Sequence, residues 1–438
     1  MSRPVIGFAG MTHLGLSSAI AAADKGFATI GFDRADERIA AITRGEMPVV
    51  EPDLDALAAA HRDRLTFTSD AAALAACDVV YVAPDVPTDD EGRSDLSSVD
   101  ALFQLVDGAA RADAVVVILS QVPPGFTRAR QRAGRTLHYQ VETLIFGRAM
   151  ERARFPERFI VGCADPAAPL PSKYREFLDA FGCPILPMRF ESAELAKISI
   201  NMCLVASVSV ANTMAELCEH SGADWSEIVP ALKLDRRMGA FSYLTPGLGI
   251  AGGNLERDLA TVCTLADRAG TDAGVVRAFI DNSAHRKEWT WRTLRDRVLN
   301  NKPDARIGVL GLAYKVDTHS TKGSPALALL AHLTNNHVRV FDPVVPGTAA
   351  GPSVFAAGSA LEAVEDADVL CVMTPWREFA ELALPELARR MRGRVLIDPF
   401  AVFDRAAARA AGFEYLTLGV GDMPNVPNMS TISKATAC

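Results

Sequence analysis

The chain has 438 residues, of which 49% are hydrophobic, so it is too long for one compact core and is expected to form two or three domains. Its formal net charge is −8 without a block of like charges, which argues against nucleic acid or an anionic membrane as a partner and favours a small-molecule substrate. The eight cysteines (77, 163, 183, 203, 218, 263, 371 and 438) show no CxxC spacing, which argues against a zinc site and against a disulfide framework.

The N-terminal segment, Met1 to Gly7, enters a strand directly rather than through a signal peptide. We find no run of about 18 apolar residues of the kind that spans a bilayer. The sequence therefore predicts a cytoplasmic protein that does not cross a membrane.

Short apolar runs bounded by turn or polar residues predict buried strands in the first half of the chain. They are Val5 to Ala9, Ala28 to Phe32, Val79 to Ala83, Ala114 to Leu119 and Arg158 to Val161. Strands of this kind that alternate with helical patterns are typical of a parallel sheet.

The turn after the first strand reads Gly10-Met-Thr-His-Leu-Gly15. In a dinucleotide fold, glycines at this turn let backbone amides at a helix N-terminus approach a pyrophosphate. Asp33, at the end of the second strand, could accept hydrogen bonds from an adenosine ribose and would repel a 2′-phosphate. This favours NAD over NADP, although Arg34 weakens the preference. Thr12 stands at the second glycine position, where its Cβ restricts the approach of a pyrophosphate, so the turn alone also fits an ordinary strand-turn-helix.

A long apolar-periodic segment without Pro or Gly, from about Glu191 to His220, predicts one extended helix that links two domains. Strand patterns then return at Arg306 to Leu310, Val338 to Phe341, Asp368 to Met373 and Arg394 to Ile397. We therefore predict an α/β protein with two Rossmann-like parallel-sheet domains joined by a central helical domain. The predicted boundaries are 1–188, 189–300 and 301–438.

Several motifs resemble, in the same order, those of the UDP-glucose/GDP-mannose dehydrogenase family. Gly45 to Leu54 resembles RGxxPxxEPGL, Asp89 to Leu96 resembles DxDGxxDLS, Val122 to Gly125 resembles the end of STVPPGT, Glu194 to Asn201 resembles ELxKxxxN, and Gly311 to Ala326 resembles GLxFKxxTDDxRxSPA. The resemblance runs through nearly the whole chain.

The resemblance implies an N-terminal NAD domain, a helical linker domain that dimerises, and a C-terminal domain that holds the nucleotide of a nucleotide sugar. The family's usual reaction oxidises a sugar CH2OH to a carboxylate with two NAD, through an aldehyde and a cysteine thioester. We therefore expect NAD as cofactor, a nucleotide sugar or nucleoside as substrate, and a homodimer formed through the central helix.

Three residues match the family's positions for hydride transfer, which requires stabilisation of the negative charge that develops on the alcohol oxygen. Lys197 could stabilise the alkoxide, Asn201 could donate to the same oxygen, and Asp258 could orient a water or tune Lys197. The alternative is that Lys197 only extends from its helix to solvent and that Asp258 forms a surface ion pair with Arg257.

The segment Pro246 to Asp258 resembles the family's thiolate loop, PGxGYGGSCFPKD, but Asn254 stands at the position of the cysteine. An aldehyde has no hydride to yield until a nucleophile adds to it. A thiolate does this well, whereas a neutral carboxamide does not. We therefore expect no thioester. Cys263, nine residues further on, is expected to be a packing residue.

Two further departures concern the hydrolytic half of the reaction. Where the family reads NPEFLxEG, Gln140 to Gly147 keeps the first acid as Glu142 and has Phe146 at the second. Gln121 replaces the family's Thr before the Pro-Pro turn. In the family the matched residues manage water during thioester hydrolysis, so this half is expected to be lost while the hydride half persists, with Glu142 as an acid or base.

The resemblance also implies a set of ligand contacts. Those expected for the cofactor are Gly10, Thr12, His13, Leu14, Gly15, Asp33, Arg34, Val86, Pro87, Ser120 and Gln121. Those expected for the substrate are Thr143, Leu144, Arg237, Tyr243, Gly249, Gly252, Lys315 and Lys322. Arg237 matches an arginine that reaches the neighbouring subunit's sugar site, and Lys322 replaces a family arginine and loses its bidentate fork. Asp398 to Ala401 replaces a DGRN turn, so the ligand need not be UDP-glucose.

Three hypotheses follow. The first is an NAD-dependent enzyme limited to one two-electron oxidation, either releasing a carbonyl product or using it transiently in an epimerisation or dehydration followed by re-reduction. The second is a four-electron 6-dehydrogenase that oxidises an aldehyde hydrate without cysteine. The third is a non-catalytic protein that binds NAD or a nucleotide sugar. The retained Lys197, Asn201 and Asp258 favour the first.

Overall fold

The computed structural model describes residues 3–89 and 93–421. Cys438 and the middle of the segment from Asp89 to Leu96 therefore lie outside the described residues. The chain divides into two compact units, Met1–Ile200 and Asn201–Cys438, and each is described by itself. The three domains predicted from the sequence stay a prediction.

The first unit contains an eight-stranded sheet with the order β3-β2-β1-β4-β5-β6-β7-β8. Its strands are β1 (Ile6–Ala9), β2 (Thr29–Phe32), β3 (Leu65–Thr68), β4 (Val79–Val82), β5 (Val115–Ile118), β6 (Thr136–Gln140), β7 (Phe159–Cys163) and β8 (Ile185–Arg189). The five strands predicted here are confirmed to within two residues. The sheet is parallel except at β6 and β7, which pair antiparallel.

Three strands of this sheet, β3, β6 and β8, were not predicted from the sequence. β3 and β8 are the outermost strands, and neither contains a fully buried residue. An edge strand needs no continuous apolar run, so the pattern that identifies a central strand is missing there. β6 lies inside the sheet and is mostly buried, but its residues, Thr136 to Gln140, alternate polar and apolar types and so form no continuous apolar run.

Helices cover both faces of this sheet. They are α1 (His13–Asp24), α2 (Asp36–Arg44), α3 (Leu54–Ala60), α4 (Ser97–Ala109), α5 (Ala149–Arg154) and α6 (Ser172–Asp179). Phe8 and Tyr81 pack with α1 and α6 on one face, whereas Val80 and Val116 pack with α4 on the other. Burial on both faces explains why the central strands are continuous apolar runs.

The long helix predicted from Glu191 to His220 is confirmed as α7, Phe190–Ser221, with 32 residues. By length and composition α7 could cross a membrane, which the search for apolar runs had not recognised. This is weak evidence, because the core helix of a globular protein passes the same test. Glu194 is fully buried near its start and accepts hydrogen bonds from the backbone amides of Gly125 (2.6 Å) and Thr127 (2.8 Å).

The second unit combines helices with a six-stranded parallel sheet of order β11-β10-β9-β12-β13-β14. Its strands are β9 (Arg306–Leu310), β10 (His337–Phe341), β11 (Phe355–Ala356), β12 (Val369–Val372), β13 (Val395–Ile397) and β14 (Glu414–Leu416). The helices are α8 (Trp225–Leu234), α9 (Asn254–Ala269), α10 (Gly274–Lys287), α11 (Trp289–Leu294), α12 (Pro325–His332), α13 (Ala360–Ala363), α14 (Arg377–Ala380), α15 (Leu384–Arg390) and α16 (Arg405–Ala410). The predicted α/β architecture, with two parallel-type sheets and one long helix, is confirmed.

Asp368, just before β12, should make the second unit sensitive to acid. Its carboxylate pairs with Lys302 (2.8 Å) and Arg392 (2.5 Å) and accepts from the amide of Arg306 (2.9 Å). The Arg392 guanidinium, aided by Lys302, holds the pKa of Asp368 well below its usual range. The stabilisation is complete above the unfolded-state pKa of about 4 and is lost as the pH falls towards the folded-state pKa. Asp368→Asn should lower the free energy of unfolding by about 2 kcal/mol at pH 7 and by less at pH 3 in urea titrations; an equal loss at both would contradict this.

Candidate active site

The residues expected to contact the cofactor converge at one edge of the first sheet. β2, β1, β4 and β5 are consecutive neighbours in this sheet and run parallel. Their carboxyl ends therefore meet at the same edge, where ligands bind in open α/β sheets. The predicted residues all follow these four ends: Gly10, Thr12, His13, Leu14, Gly15, Asp33, Arg34, Val86, Pro87, Ser120 and Gln121.

The two glycines of the first turn have no space for side chains. A Cβ on Gly10, whose φ is +97°, would lie 2.7 Å from the backbone nitrogen of Pro84. A Cβ on Gly15 would lie 1.9 Å from the carbonyl oxygen of Gly10. Helix α1 thus begins tightly against β1 and β4, as a dinucleotide cradle requires. NAD fits this cradle by its backbone geometry.

Asp33 lies at the end of β2 with only 6% of its surface exposed. Its Oδ2 accepts hydrogen bonds from the Met11 amide (2.8 Å) and the Arg38 guanidinium (2.8 Å). Arg38 is not among the residues expected from the sequence, where its only mark is a basic side chain near the start of α2. An adenosine ribose would share the Asp33 carboxylate with Arg38, while Arg34 is exposed beside it.

Asp85, which follows β4, is a second residue not expected from the sequence to lie at this site. Its carboxylate accepts hydrogen bonds from the backbone amides of His13 (3.0 Å) and Leu14 (3.2 Å) at the start of α1. Its own amide donates to the Thr12 hydroxyl at 2.9 Å. The available signal was an acid directly after a central strand, at the edge where the α1 amides lie.

His13 joins two segments that are distant in the sequence. Its Nε2 lies 2.8 Å from Glu51 Oε1, and its ring stacks on Phe146 with the centroids 4.2 Å apart. Glu51 is buried and also accepts from the amides of Gly147 (2.9 Å) and Ala149 (3.1 Å). The aromatic ring of Phe146 thus stands beside His13 at the position expected for a carboxylate in the family.

Lys197 forms an ion pair with Glu142, at 2.8 Å between Nζ and Oε1. The two side chains are only 12% and 17% exposed. Glu142 also accepts from the amide of Leu144 at 2.9 Å, which fixes the turn after β6 that contains Thr143. The alternative in which Lys197 merely extends to solvent is therefore wrong.

In the second unit, Asn201 and Asp258 form a buried pair. The Asn201 amide nitrogen donates to Asp258 Oδ2 at 2.5 Å, and the two residues are 7% and 1% exposed. Arg257, itself 6% exposed, lies 3.4 Å from the other carboxylate oxygen. A surface ion pair between Asp258 and Arg257 is therefore the wrong interpretation, because both groups are inside the protein.

The loop before Asn254 is built from glycines in the left-handed region of φ. A Cβ on Gly249 would lie 2.4 Å from the Ser283 carbonyl oxygen, and one on Gly252 would lie 2.5 Å from the Tyr314 ring. The Gly252 amide donates to the carbonyl oxygen of Lys322 at 3.0 Å. The loop is thus held tightly against α10 and against the 311–324 segment, where burial raises the pKa of Tyr314.

Asn254 is the first residue of α9, a 16-residue helix, and its side chain is exposed. Glu256 accepts from the amide of Gly253 at 2.9 Å and so caps the helix start. The partial positive charge of a helix N-terminus stabilises an anion. Position 254 would therefore favour the thiolate form of a cysteine, whereas its asparagine is neutral.

Neither Cys263 on α9 nor Cys203 on α7 substitutes for a thiol at this position. Cys263 is 9% exposed and packs with Val205, Leu259 and Val276, which confirms the prediction that it is a core residue. Cys203 is exposed on α7. It is two residues from Asn201 and so points about 200° away around the helix.

The remaining residues expected to bind the substrate lie on loops of the second unit. Arg237 pairs with Asp235 at 2.6 Å and its side chain is 88% exposed, and Tyr243 is 50% exposed. The Lys315 ammonium lies 5.9 Å from the centre of the Tyr314 ring. These residues present cationic and aromatic groups at the surface.

A largely parallel sheet with a glycine turn, a following helix and an acid at the end of β2, together with a second parallel sheet, is typical of the class of NAD-dependent dehydrogenases. Three models of the UDP-glucose/GDP-mannose dehydrogenase family match: the NAD binding domain over residues 5–177, the central domain over 191–283 and the UDP binding domain over 308–405. The chain therefore belongs to the UDP-glucose/GDP-mannose dehydrogenase family, and its cofactor is NAD.

Individual relatives agree with this assignment over nearly the full length. A UDP-glucose 6-dehydrogenase of Pseudomonas aeruginosa is 31% identical over 437 residues, covering 94% of this chain and 96% of the relative. A UDP-glucose 6-dehydrogenase of Rhizobium meliloti is 28% identical over 436 residues, covering 94% and 99%. The solved structure of a UDP-glucose dehydrogenase from Pyrobaculum islandicum superposes with a TM-score of 0.82 at 26% identity, covering 95% of this chain and 97% of that one.

Proposed function

We propose that this chain catalyses one two-electron oxidation of a CH–OH group on a nucleotide sugar or nucleoside and does not continue to the carboxylate. The observation that carries the proposal is Asn254, a residue without a nucleophile, at the start of α9 on a tightly packed glycine loop. NAD, when bound, accepts the hydride from the carbon that bears the hydroxyl.

The retained polar pairs support the oxidative half of the reaction. The Lys197 ammonium can stabilise negative charge on the alcohol oxygen, and Glu142, 2.8 Å from it, can take up the hydroxyl proton directly or through a water. Asp258 holds the Asn201 amide in a fixed orientation through a 2.5 Å hydrogen bond. Lys197 and Asn201 are four residues apart on α7, a spacing that aligns side chains along one helix face.

The second oxidation lacks support from the residues present. An aldehyde product needs an added nucleophile before it can lose a further hydride, and the Asn254 carboxamide does not add. Phe146, stacked on His13, brings an apolar ring where a carboxylate would activate water. A carbonyl intermediate would therefore be released or returned to the alcohol level after epimerisation or dehydration.

A four-electron 6-dehydrogenase and a non-catalytic binding protein are the alternatives. The names of the relatives favour the four-electron 6-dehydrogenase, and they make UDP-glucose the initial substrate to test. The low exposure of Lys197, Glu142 and Asp258 argues against a non-catalytic binding protein. Burying charged groups destabilises the folded state, and a protein that only binds its ligand has no need of them.

The test is the stoichiometry of NADH against product. Purified protein, NAD and a panel of UDP-, GDP-, ADP- and dTDP-sugars and free nucleosides would be followed at 340 nm, and products would be identified by mass. One NADH per carbonyl, or an isomerised or dehydrated product without net NADH, is the expected result. Two NADH per carboxylate would show that Asn254 does not block the second step, and no turnover across the panel would favour a binding protein.

We also propose that the chain forms a homodimer through α7. In the second unit this helix exposes an apolar stripe at helical spacing, with Val210 at 53%, Met214 at 40% and Leu217 at 56% exposed. Such a stripe on a long helix is typical of an interface. Arg237, which is exposed and paired with Asp235 on the same surface loop, would then be available to a neighbouring subunit's substrate.

Charges on this stripe should dissociate the dimer. Met214→Glu combined with Leu217→Lys is expected to shift the mass measured by light scattering from two chains to one. Dimerisation would remove the two introduced charges from water, and the free-energy penalty of this desolvation would weaken the dimer. Val344→Glu, a similar change at a residue that is 50% exposed after β10, is the control. An unchanged mass in the double variant would contradict an interface on α7.

A further inference from the structure

The N-terminus of α1 in the NAD site is capped by an acid of this chain. We propose that Asp85 competes with the cofactor pyrophosphate for the α1 amides, so that NAD binds only when the Asp85 carboxylate moves away. This inference rests on the NAD site and not on the number of electrons that the enzyme transfers.

The contacts of Asp85 involve the amides that a dinucleotide would use. Oδ2 accepts from the His13 amide at 3.0 Å and Oδ1 accepts from the Leu14 amide at 3.2 Å. These are the first two residues of a 12-residue helix, and the first turn of α1 contains no acid of its own. In Rossmann-type sites the pyrophosphate lies at this helix N-terminus. A carboxylate there satisfies the same donors and repels a second anion.

Thr12 secures Asp85 from the other side. Its hydroxyl accepts from the Asp85 amide at 2.9 Å, while the Asp85 side chain accepts from the amides that follow Thr12. This is a reciprocal arrangement of the kind found in a capping box. The threonine at the second glycine position therefore has a defined partner, and the two residues form one latch across the turns after β1 and β4.

The latch is at the surface. Asp85 is exposed, so its carboxylate can exchange the two amides for water without unfolding the surrounding structure. Asp85 is therefore a competitor that lowers affinity rather than a permanent block. The competition applies to ligands that carry a pyrophosphate, whereas binding of an uncharged adenosine at Asp33 should not depend on it.

The test is calorimetric titration of ADP-ribose and of adenosine into the full-length protein, which needs no turnover. Asp85→Gly and Asp85→Asn should each tighten ADP-ribose binding, Asp85→Gly by roughly tenfold, since one charge-assisted cap is removed. Adenosine binding should change less than twofold. Activity can be lost or retained without affecting this result, so a failure here is distinct from a failure of the proposed function.

The control is Asp165→Asn. Asp165 also accepts from a backbone amide, that of Ala167 at 2.9 Å, but it follows β7, whose antiparallel direction places it at the opposite edge of the sheet. This variant should leave both affinities unchanged. Thr12→Val, which removes the acceptor for the Asp85 amide, provides a second route to a looser latch and should also tighten ADP-ribose. Unchanged or weaker ADP-ribose binding in both Asp85 variants, or equal tightening of adenosine, would overturn the proposal.

Discussion

Replacing Lys197 by methionine is expected to lower kcat for the oxidation by about 10³-fold, the size of effect typical of a lost general acid–base or electrostatic group. Methionine keeps the length and apolar stem of the side chain and removes only the charge. The ammonium lies 2.8 Å from Glu142 and is mostly shielded from water. A cation from solvent would therefore not easily take the place of the lost positive charge. The measurement is the rate of NADH formation with the substrate identified by the panel.

The structural cost of this change must be separated from its chemical effect. Lys197→Met leaves the Glu142 carboxylate, 17% exposed, without its partner, which destabilises the folded state. The double variant Lys197→Met with Glu142→Gln removes both charges, so it should recover the melting temperature and remain inactive. A wild-type rate in Lys197→Met would eliminate Lys197 as the group that stabilises the alkoxide.

Replacing Asn254 by cysteine is expected to produce the largest gain, from no covalent adduct to a detectable amount of enzyme-bound thioester. The helix N-terminus of α9 lowers the pKa of a thiol placed there, and the resulting thiolate can add to the carbonyl product. Where the carbonyl product is an aldehyde, the thiohemiacetal loses its hydroxyl proton and gives its hydride to a second NAD, which yields a thioester and a second NADH. We expect the thioester to accumulate, because Phe146 provides no carboxylate to activate water.

Intact-protein mass after one turnover measures this adduct directly. Asn254→Ser, which adds a hydroxyl and no thiolate, is the matched control and should show neither adduct nor carboxylate. Adding Phe146→Glu to Asn254→Cys should convert part of the trapped adduct into released product. If Asn254→Cys keeps the first oxidation but forms neither adduct nor carboxylate, residue 254 does not stand where the family's thiolate acts.

The central strands and the long helix could be predicted because buried elements of this kind consist of apolar residues in a local pattern. β1, β4, β5, β9 and β12 are buried throughout or nearly so, and each is a short apolar run. The edge strands β3 and β8 carry a mixed pattern, since only one neighbour shields them. Their strand conformation comes from pairing with β2 and β7, a contact that no local pattern encodes.

The candidate site shows the same division. Motif spacing and family resemblance identified Lys197, Asn201 and Asp258, and the residue type alone excludes a thiol at Asn254. Spacing could not show that Lys197 pairs with Glu142, 55 positions earlier, or that Asp258 is buried against Asn201. It therefore could not decide between a catalytic and a surface role for these charges.

By itself, the sequence determined the α/β class, the glycine turn of an NAD-binding domain and the presence of asparagine rather than a thiol at position 254, because each depends on residue identity or on short-range periodicity. Only the tertiary structure decided which charges are paired and which amides are capped. The Asp85 carboxylate and the His13 and Leu14 amides come from turns more than 70 positions apart, brought together because β1 and β4 are neighbours in the sheet. A hydrogen bond depends on distance in space, and that distance is set by the strand order.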